Sequence, residues 1–130
     1  MAAAIGSALG VWWRRRRGDN SLQRRLRAER QSTQALERAQ SALKSQDALT
    51  FFIQGRIALQ EALSIRLKTP AASLTWPEIL RRWPDAPDTL RQWLAKADEV
   101  SFAGRGVSAN DLPTWYQRLQ ELLVELRSRS

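Results

Sequence analysis

Carboxylates are the side chains best able to carry catalysis in this chain, because its 130 residues include no cysteine and no histidine. Those nearest the segments with a strong apolar helical pattern are Glu61, Glu78, Asp98 and Glu99. Two carboxylates can share general acid and general base chemistry only when both flank the same bond. Asp98 and Glu99 are adjacent and would point about 100° apart on a helix, and none of the four forms a convincing pair. We therefore expect no catalytic residue and predict that the protein is not an enzyme.

Metal and phosphate chemistry also lack their usual residues. Zinc, copper and haem sites draw mainly on Cys or His ligands, which the chain does not contain. The Gly-Arg-Gly sequence at residues 104–106 follows no predicted strand, as a phosphate-binding glycine loop would, and is interpreted as a turn. We expect no metal, no cofactor and no small-molecule substrate.

Aromatic and basic side chains on a short predicted helix suggest a protein contact instead. Trp76 stands at the start of this helix and Trp83 at its end, positions that are often half exposed. Tryptophan is frequent among the residues that dominate protein interfaces, and Arg81 and Arg82 would add a basic rim. Burial of both tryptophans in the core, with the arginines on a solvated face, explains the same residues equally well. The candidate partner-binding residues are Trp76, Arg81, Arg82 and Trp83.

An apolar run ahead of an arginine cluster is the second functional signal. Residues 1–13 carry no charged side chain, and the candidate membrane-interface residues that end and follow this run are Trp12, Trp13, Arg14, Arg15, Arg16 and Arg17. A secretory signal has the reverse order, whereas the cytoplasmic edge of a transmembrane helix has this one. Anionic lipid headgroups would hold each arginine near the surface by roughly 1 kcal/mol. We expect a bacterial inner-membrane protein with residues 14–130 on the cytoplasmic side.

Residues 1–13 alone are too short to cross a bilayer, since a helix of that length covers roughly 20 Å of a hydrocarbon layer about 30 Å thick. We interpret residues 1–17 as the last part of a transmembrane helix. An apolar end without function and a basic nucleic-acid-binding arm are the alternatives. Residues 1–30 carry a net charge of +6 out of the total of +8. Because nucleic-acid-binding domains usually spread their basic residues over the folded surface, a nucleic-acid partner is not expected.

The helices that would position these candidate residues begin with a polar segment. Gly18 is predicted to end the first helix, and residues 18–46 then form a polar connector helix that would hold the following domain roughly 40 Å from the bilayer if it stood upright. A coiled coil is not expected, because the opposing heptad positions hold Arg25, Ser32 and Ala39. The connector has only a thin apolar stripe, made of Leu22, Leu26, Leu36 and Leu43. A helix of this polarity is either a mostly solvated spacer or packs on the bundle by one narrow seam, and the sequence leaves both open.

Residues 47–130 are predicted to form a bundle of about four helices. Asp47 and Thr75 precede helical patterns as capping residues, and Gly55 within a helix indicates a close crossing of another helix. Trp93 and Trp115 lie on regular apolar helix faces and are expected in the core. No segment alternates with a period of two. The predicted fold class is all-α: a small helical bundle after a long polar connector helix and a truncated transmembrane segment.

Residues 47–130 also carry a family resemblance. The motifs are Phe-Phe-x-x-x-Arg-x-Ala-Leu-Gln-Glu-Ala-Leu from Phe51, Leu-Thr-x-x-Glu-Ile-Leu from Leu74, and Ala-Asp-Glu-Val-Ser-Phe-Ala-Gly from Ala97. Together with the apolar run and its arginines, this pattern resembles the cytoplasmic C-terminal region of the BatD family of bacterial oxygen tolerance (aerotolerance) membrane proteins. Where that family commonly has Ala-Arg-Tyr-Gly, this chain has Val100 to Gly104. The resemblance implies a non-enzymatic subunit of a membrane complex with von Willebrand A-domain proteins and a MoxR-type AAA+ ATPase.

Overall fold

Five α-helices make up most of the regular structure in the residues that the structure describes. The computed structural model describes the backbone of residues 2–103 and 107–128, and the side chains of residues 22–103 and 107–128. The helices are α1 (Ala2–Lys44), α2 (Ala48–Leu67), α3 (Trp76–Arg82), α4 (Asp88–Ala103) and α5 (Leu112–Ser128). Short 3₁₀ turns at Ala71–Ser73 and Ala109–Asp111 complete the connections. Since every regular element in these described ranges is helical, the predicted all-α class is confirmed.

The first helix passes through Gly18 without a break. It runs as one element of 43 residues from Ala2 to Lys44, so the predicted helix end at Gly18 is wrong. A glycine within a helix costs only about 1 kcal/mol relative to alanine, and the neighbouring turns of a long helix can offset that cost. No separate connector helix therefore begins after the arginine cluster.

A tight turn reverses the chain between α1 and α2. Gln46 adopts a left-handed conformation with φ of 58°, and the amide of Asp47 donates to the carbonyl of Ala42 at 2.9 Å. Asp47 then caps α2, because its carboxylate accepts a hydrogen bond from the amide of Thr50 at 3.1 Å. The predicted capping role of Asp47 is confirmed, and the turn places α2 antiparallel to α1.

Small residues make up most of the buried face of α1, and Leu36 and Leu43 pack beside them at the edge of the core. The hydroxyl of Ser32 donates to the carbonyl of Ala58 at 2.9 Å, a bond that requires the two helices to touch. Leu22 and Leu26 are 56% and 41% exposed, so half of the predicted apolar stripe faces outward. Among the described side chains of α1, the buried residues recur every three or four positions and are Ala28, Ser32, Ala35, Ala39 and Ala42. The sequence left open whether residues 21–46 pack on the bundle, and this part of α1 does pack through one narrow seam and forms one wall of the bundle.

The core is centred on α2 and is rich in aromatic rings. Phe51, Phe52 and Trp93 are fully buried, and the ring centroids of Phe52 and Trp93 are 5.2 Å apart. The indole nitrogen of Trp93 donates to the carbonyl of Trp115 at 3.0 Å. A β-carbon at Gly55 would lie 2.8 Å from Cζ2 of Trp93, so the predicted close crossing at this glycine is confirmed. Trp93 is a core residue as predicted, and Trp115 is half-buried against the same core.

Caps and ion pairs fix the remaining helices. Thr75 caps α3 by accepting a hydrogen bond from the amide of Glu78 at 3.4 Å, as its position in the sequence predicts. Arg56 of α2 binds Asp98 of α4 with 2.6 Å between nitrogen and oxygen.

Within the described part of the chain, no helix is both long enough and apolar enough to cross a membrane.

Candidate functional site

Trp83 is not the exposed anchor that its position at a helix end suggested. It is only 9% exposed and belongs to the hydrophobic core. The guanidinium carbon of Arg66 lies 4.0 Å from the centroid of the Trp83 ring, in the geometry of a cation–π contact. Trp76 is half-buried and packs against the edge of the core. Of the two candidate tryptophans, only Trp76 has surface available to a partner.

The two candidate arginines are exposed but are already paired. Arg81 and Arg82 both bind Glu78, with nitrogen–oxygen distances of 2.6 and 2.8 Å to the same carboxylate oxygen. The hydrogen bonds from Arg81 and then Arg82 lower the pKa of Glu78 below its usual value. Leu80 lies between these residues in α3 and is 39% exposed. The exposed face of α3 is therefore apolar at its centre, with one net positive charge beside it.

The candidate membrane-interface residues cannot be placed in the same way. Their backbone is part of α1, while the side chains of Trp12, Trp13 and Arg14 to Arg17 lie outside the described residues. Their predicted role stays a prediction.

The carboxylates considered for catalysis differ in their surroundings. Asp98 binds Arg56, and Glu99 pairs with Lys96 at 3.5 Å. Glu61 is half-buried on α2, and its burial raises the pKa of its carboxyl group. Residues 22–103 and 107–128 contain no group of three or more acidic side chains that could hold a metal ion.

A broad groove lies on the α1–α2 surface. It has a volume of about 980 Å³ and runs between residues 22–31 of α1 and the last turns of α2. Five of its side chains are basic and one, Glu61, is acidic. Its lining residues include Arg24, Arg25, Arg27, Glu61, Arg66 and Lys68.

Most of the basic side chains in this groove have no acidic partner within the described structure. Arg25 pairs with Glu29 at 3.4 Å. The other four, which are Arg24, Arg27, Arg66 and Lys68, form no ion pair among the described residues. The groove is therefore a region of uncompensated positive charge on the bundle itself.

Arg66 occupies a special position in this groove. Its Nη1 atom is buried and has no hydrogen-bond partner in the described structure, although its guanidinium plane is held against Trp83. Lys68 follows at the end of α2 in a left-handed conformation with φ of 52°. The sequence analysis missed this groove because about forty residues separate Arg24 and Arg27 from Arg66. The alanine spacing in α1 is the signal that could have found it, since antiparallel pairing along that spacing brings the two segments together.

Comparison with known proteins finds no matching family model, no matching curated protein and no matching solved structure.

Proposed function

We propose that the protein is a non-enzymatic protein-interaction domain held at the cytoplasmic face of a bacterial inner membrane by α1. The observation that carries this proposal is the continuity of α1 from Ala2 to Lys44. One end of this helix contains the tryptophans and arginines typical of a membrane edge, and the other end packs into the bundle core through Ala35, Ala39 and Ala42. Any anchoring of the first segment therefore also positions the bundle.

The same continuity supports a position of the bundle close to the lipid surface. From Arg17 to Ala28, the first buried alanine among the described side chains, an uninterrupted helix rises roughly 16 Å. This replaces the upright spacer of about 40 Å that residues 18–46 would have formed as a free connector. A domain held this close presents its surfaces to other membrane-bound proteins and not to the bulk cytoplasm.

The partners we propose are those implied by the resemblance to the BatD family, namely von Willebrand A-domain proteins and a MoxR-type AAA+ ATPase of an aerotolerance or envelope-stress complex. The contact surface we propose is the exposed face of α3. It offers Leu80, the half-buried Trp76, and the guanidinium groups of Arg81 and Arg82. An apolar centre with a charged rim is the usual composition of such an interface.

Fractionation of the native host with an antibody against residues 47–130 tests the membrane assignment. We expect the protein in the membrane pellet after washes with high salt and alkaline carbonate, and its release by detergent. A soluble protein of 14.8 kDa would overturn the proposal. Salt alone should not release it, because arginine contacts with lipid are screened by salt whereas an inserted helix is not.

Cross-linking in the same membranes tests the interaction surface. Exchange of Arg81 and Arg82 for alanine should reduce the cross-linked partner, while Arg91→Ala should leave it unchanged. Arg91 is a matched control, because it is exposed and pairs with Asp88 at 3.1 Å as Arg81 pairs with Glu78. Equal cross-linking in the unchanged protein, in the protein with alanine at residues 81 and 82, and in the Arg91→Ala control would exclude the α3 face as the contact.

A small basic nucleic-acid-binding protein is the second candidate function, and the charge of +6 in residues 1–30 favours it. Binding through those arginines would weaken steeply with salt, because each phosphate contact releases counterions. Filter binding of duplex DNA and single-stranded RNA over a range of salt concentrations tests it. Absence of binding at low salt would remove this alternative.

A further inference from the structure

We propose that the groove between α1 and α2 is a binding site for the phosphate group of a glycerophosphate ligand, either an anionic lipid headgroup or the free ester. The lipid form of this proposal rests on the proposed membrane function, whereas the phosphate chemistry does not. The site is distinct from Arg14 to Arg17, because it belongs to the folded bundle and takes two of its five basic residues, Arg66 and Lys68, from the C-terminal end of α2.

Charge is the first argument. Arg24 and Arg27 from α1 and Arg66 and Lys68 from the end of α2 line one groove without acidic partners among the described residues. Like charges gathered on a folded surface repel one another, and a bound anion removes that repulsion. Among the described residues that line the groove, Glu61 is the only one with a carboxylate, so the charge balance of these residues favours a negative ligand.

The geometry of Arg66 is the second argument. Its guanidinium group lies over the ring of Trp83, which restricts the rotation of the side chain. Its Nη1 atom is buried, so a ligand in the groove would be bound through the other N–H groups of the guanidinium. The planar fork of arginine matches the oxygen atoms of a phosphate group. A guanidinium held in one orientation at the groove is therefore suited to bind an oxyanion.

The shape and polarity of the groove define the ligand class. A volume of about 980 Å³ is far larger than one phosphate group requires. Leu22, Ile65 and Pro70 line the same groove as the basic residues, and the side chain of Leu22 is 56% exposed. An amphipathic ligand fits this lining, with its phosphate on Arg66 and its glycerol and the first part of an acyl chain on the apolar residues.

Two arms of one experiment separate the sources of the phosphate. The full chain in a neutral detergent is titrated with glycerol 3-phosphate and followed through the arginine side-chain signals in ¹⁵N NMR spectra. The full chain is also sedimented with vesicles of phosphatidylglycerol and phosphatidylcholine, and with vesicles of phosphatidylcholine alone. Binding to both glycerol 3-phosphate and the anionic vesicles supports the lipid source, and binding to glycerol 3-phosphate alone supports the free ester. Absence of binding to glycerol 3-phosphate overturns the proposal, even if the protein sediments with vesicles through Arg14 to Arg17.

Matched variants test whether the groove itself is responsible. Arg66→Gln should weaken the binding of glycerol 3-phosphate by about tenfold, the expected effect of one lost charge-assisted contact. Arg118→Gln is the control, because the Arg118 guanidinium also lies over a tryptophan, 5.0 Å from the ring centroid of Trp115, but lies outside the groove. Equal weakening in both variants would mean general charge attraction and would overturn the site.

Two further substitutions keep the test valid if Arg66→Gln unfolds the protein. Lys68→Gln changes an exposed side chain at the end of α2 and should also weaken binding several-fold. Glu61→Gln removes the opposing carboxylate and should strengthen it. If neither substitution changes the affinity, the ligand does not occupy this groove.

Discussion

The hydroxyl of Ser32 donates a hydrogen bond of 2.9 Å to the main-chain carbonyl of Ala58, 26 positions along the chain and on another helix. A helix carbonyl that already accepts its own intrahelical bond retains a second lone pair for such a contact. Because the serine side chain is short, it reaches a neighbouring backbone only where the two helices touch. Ser32 therefore fixes both the spacing and the register of α1 on α2.

Enlarging this contact should separate the two helices. Ser32→Leu places two more side-chain heavy atoms in a site where Ser32 is 1% exposed, and overpacking of this kind costs about 1–3 kcal/mol. Gln34→Leu, at an exposed position of the same helix, is the control and should change stability little. Urea unfolding followed by far-UV circular dichroism measures both. Equal stability of the two variants would show that α1 is not packed on α2 through this residue.

Trp83→Ala should destabilise the bundle by about 3 kcal/mol or more, because truncation of a buried tryptophan leaves a large cavity. Trp76→Ala should cost clearly less, because Trp76 is half-buried at the edge of the core. Thermal unfolding of the two variants measures the difference. If the Trp83→Ala variant melts like the unchanged protein, Trp83 is not part of the core and is again a candidate for binding a partner.

Gly55→Ala should be destabilising although alanine is the better helix former. The added carbon would lie 2.8 Å from Cζ2 of Trp93 and 3.2 Å from a methyl group of Leu119. Displacing a fully buried indole costs about 1–3 kcal/mol, which exceeds the gain of about 1 kcal/mol in helix propensity. The reverse exchange at an exposed position, Ala95→Gly, should cost only the propensity difference. A stabilised Gly55→Ala protein in urea titrations would contradict the packing of Trp93.

Two carboxyl groups should give the stability opposite dependences on pH. Hydrogen bonds from Thr50 lower the pKa of Asp47, so its contribution is present above the unfolded pKa of about 3.9 and is lost as the pH falls through the folded value. Burial raises the pKa of Glu61, so its contribution is present below the unfolded pKa of about 4.3 and is lost as the pH rises through the folded value.

Urea midpoints measured between acid and neutral pH separate the two groups. Asp47→Asn keeps a capping side chain and should flatten the decline of stability toward low pH. Glu61→Gln should flatten the loss of stability on the rise toward neutral pH. An unchanged pH profile in either variant would show that the corresponding carboxyl group titrates alike in the folded and unfolded protein.

Local signals in the sequence predicted local structure well. Asp47 and Thr75 act as caps where the sequence placed them, since a capping bond involves residues only two or three positions apart. Gly55 was recognised as a crossing point, because a glycine within a strongly apolar helix requires a packing reason. Its contact is the indole of Trp93, and no local pattern could have named that partner.

Long-range packing was harder to predict for physical reasons. Alanine and serine bury little apolar surface each, so Ser32 and Ala39 at the opposing heptad positions predict no coiled coil, although both residues are buried in the bundle. The value of such residues lies in how closely they let two backbones approach. The position of Trp83 could not be predicted either, because its burial involves residues far away in the sequence, such as Arg66 of α2. The groove could not be predicted for the same reason, because its basic residues come together only when α2 folds back on α1.

The continuity of α1 also has a mechanical consequence. A helix without a break transmits torsion along its axis, and rotation by a single residue position would turn Ser32 about 100° away from Ala58. The bundle therefore cannot accept a rotation of its first helix as a small elastic change, because the bond and the alanine contacts would be lost together. A torque applied at one end of α1 therefore has two possible results. Either α1 and α2 turn together, or the contact between α1 and α2 is lost.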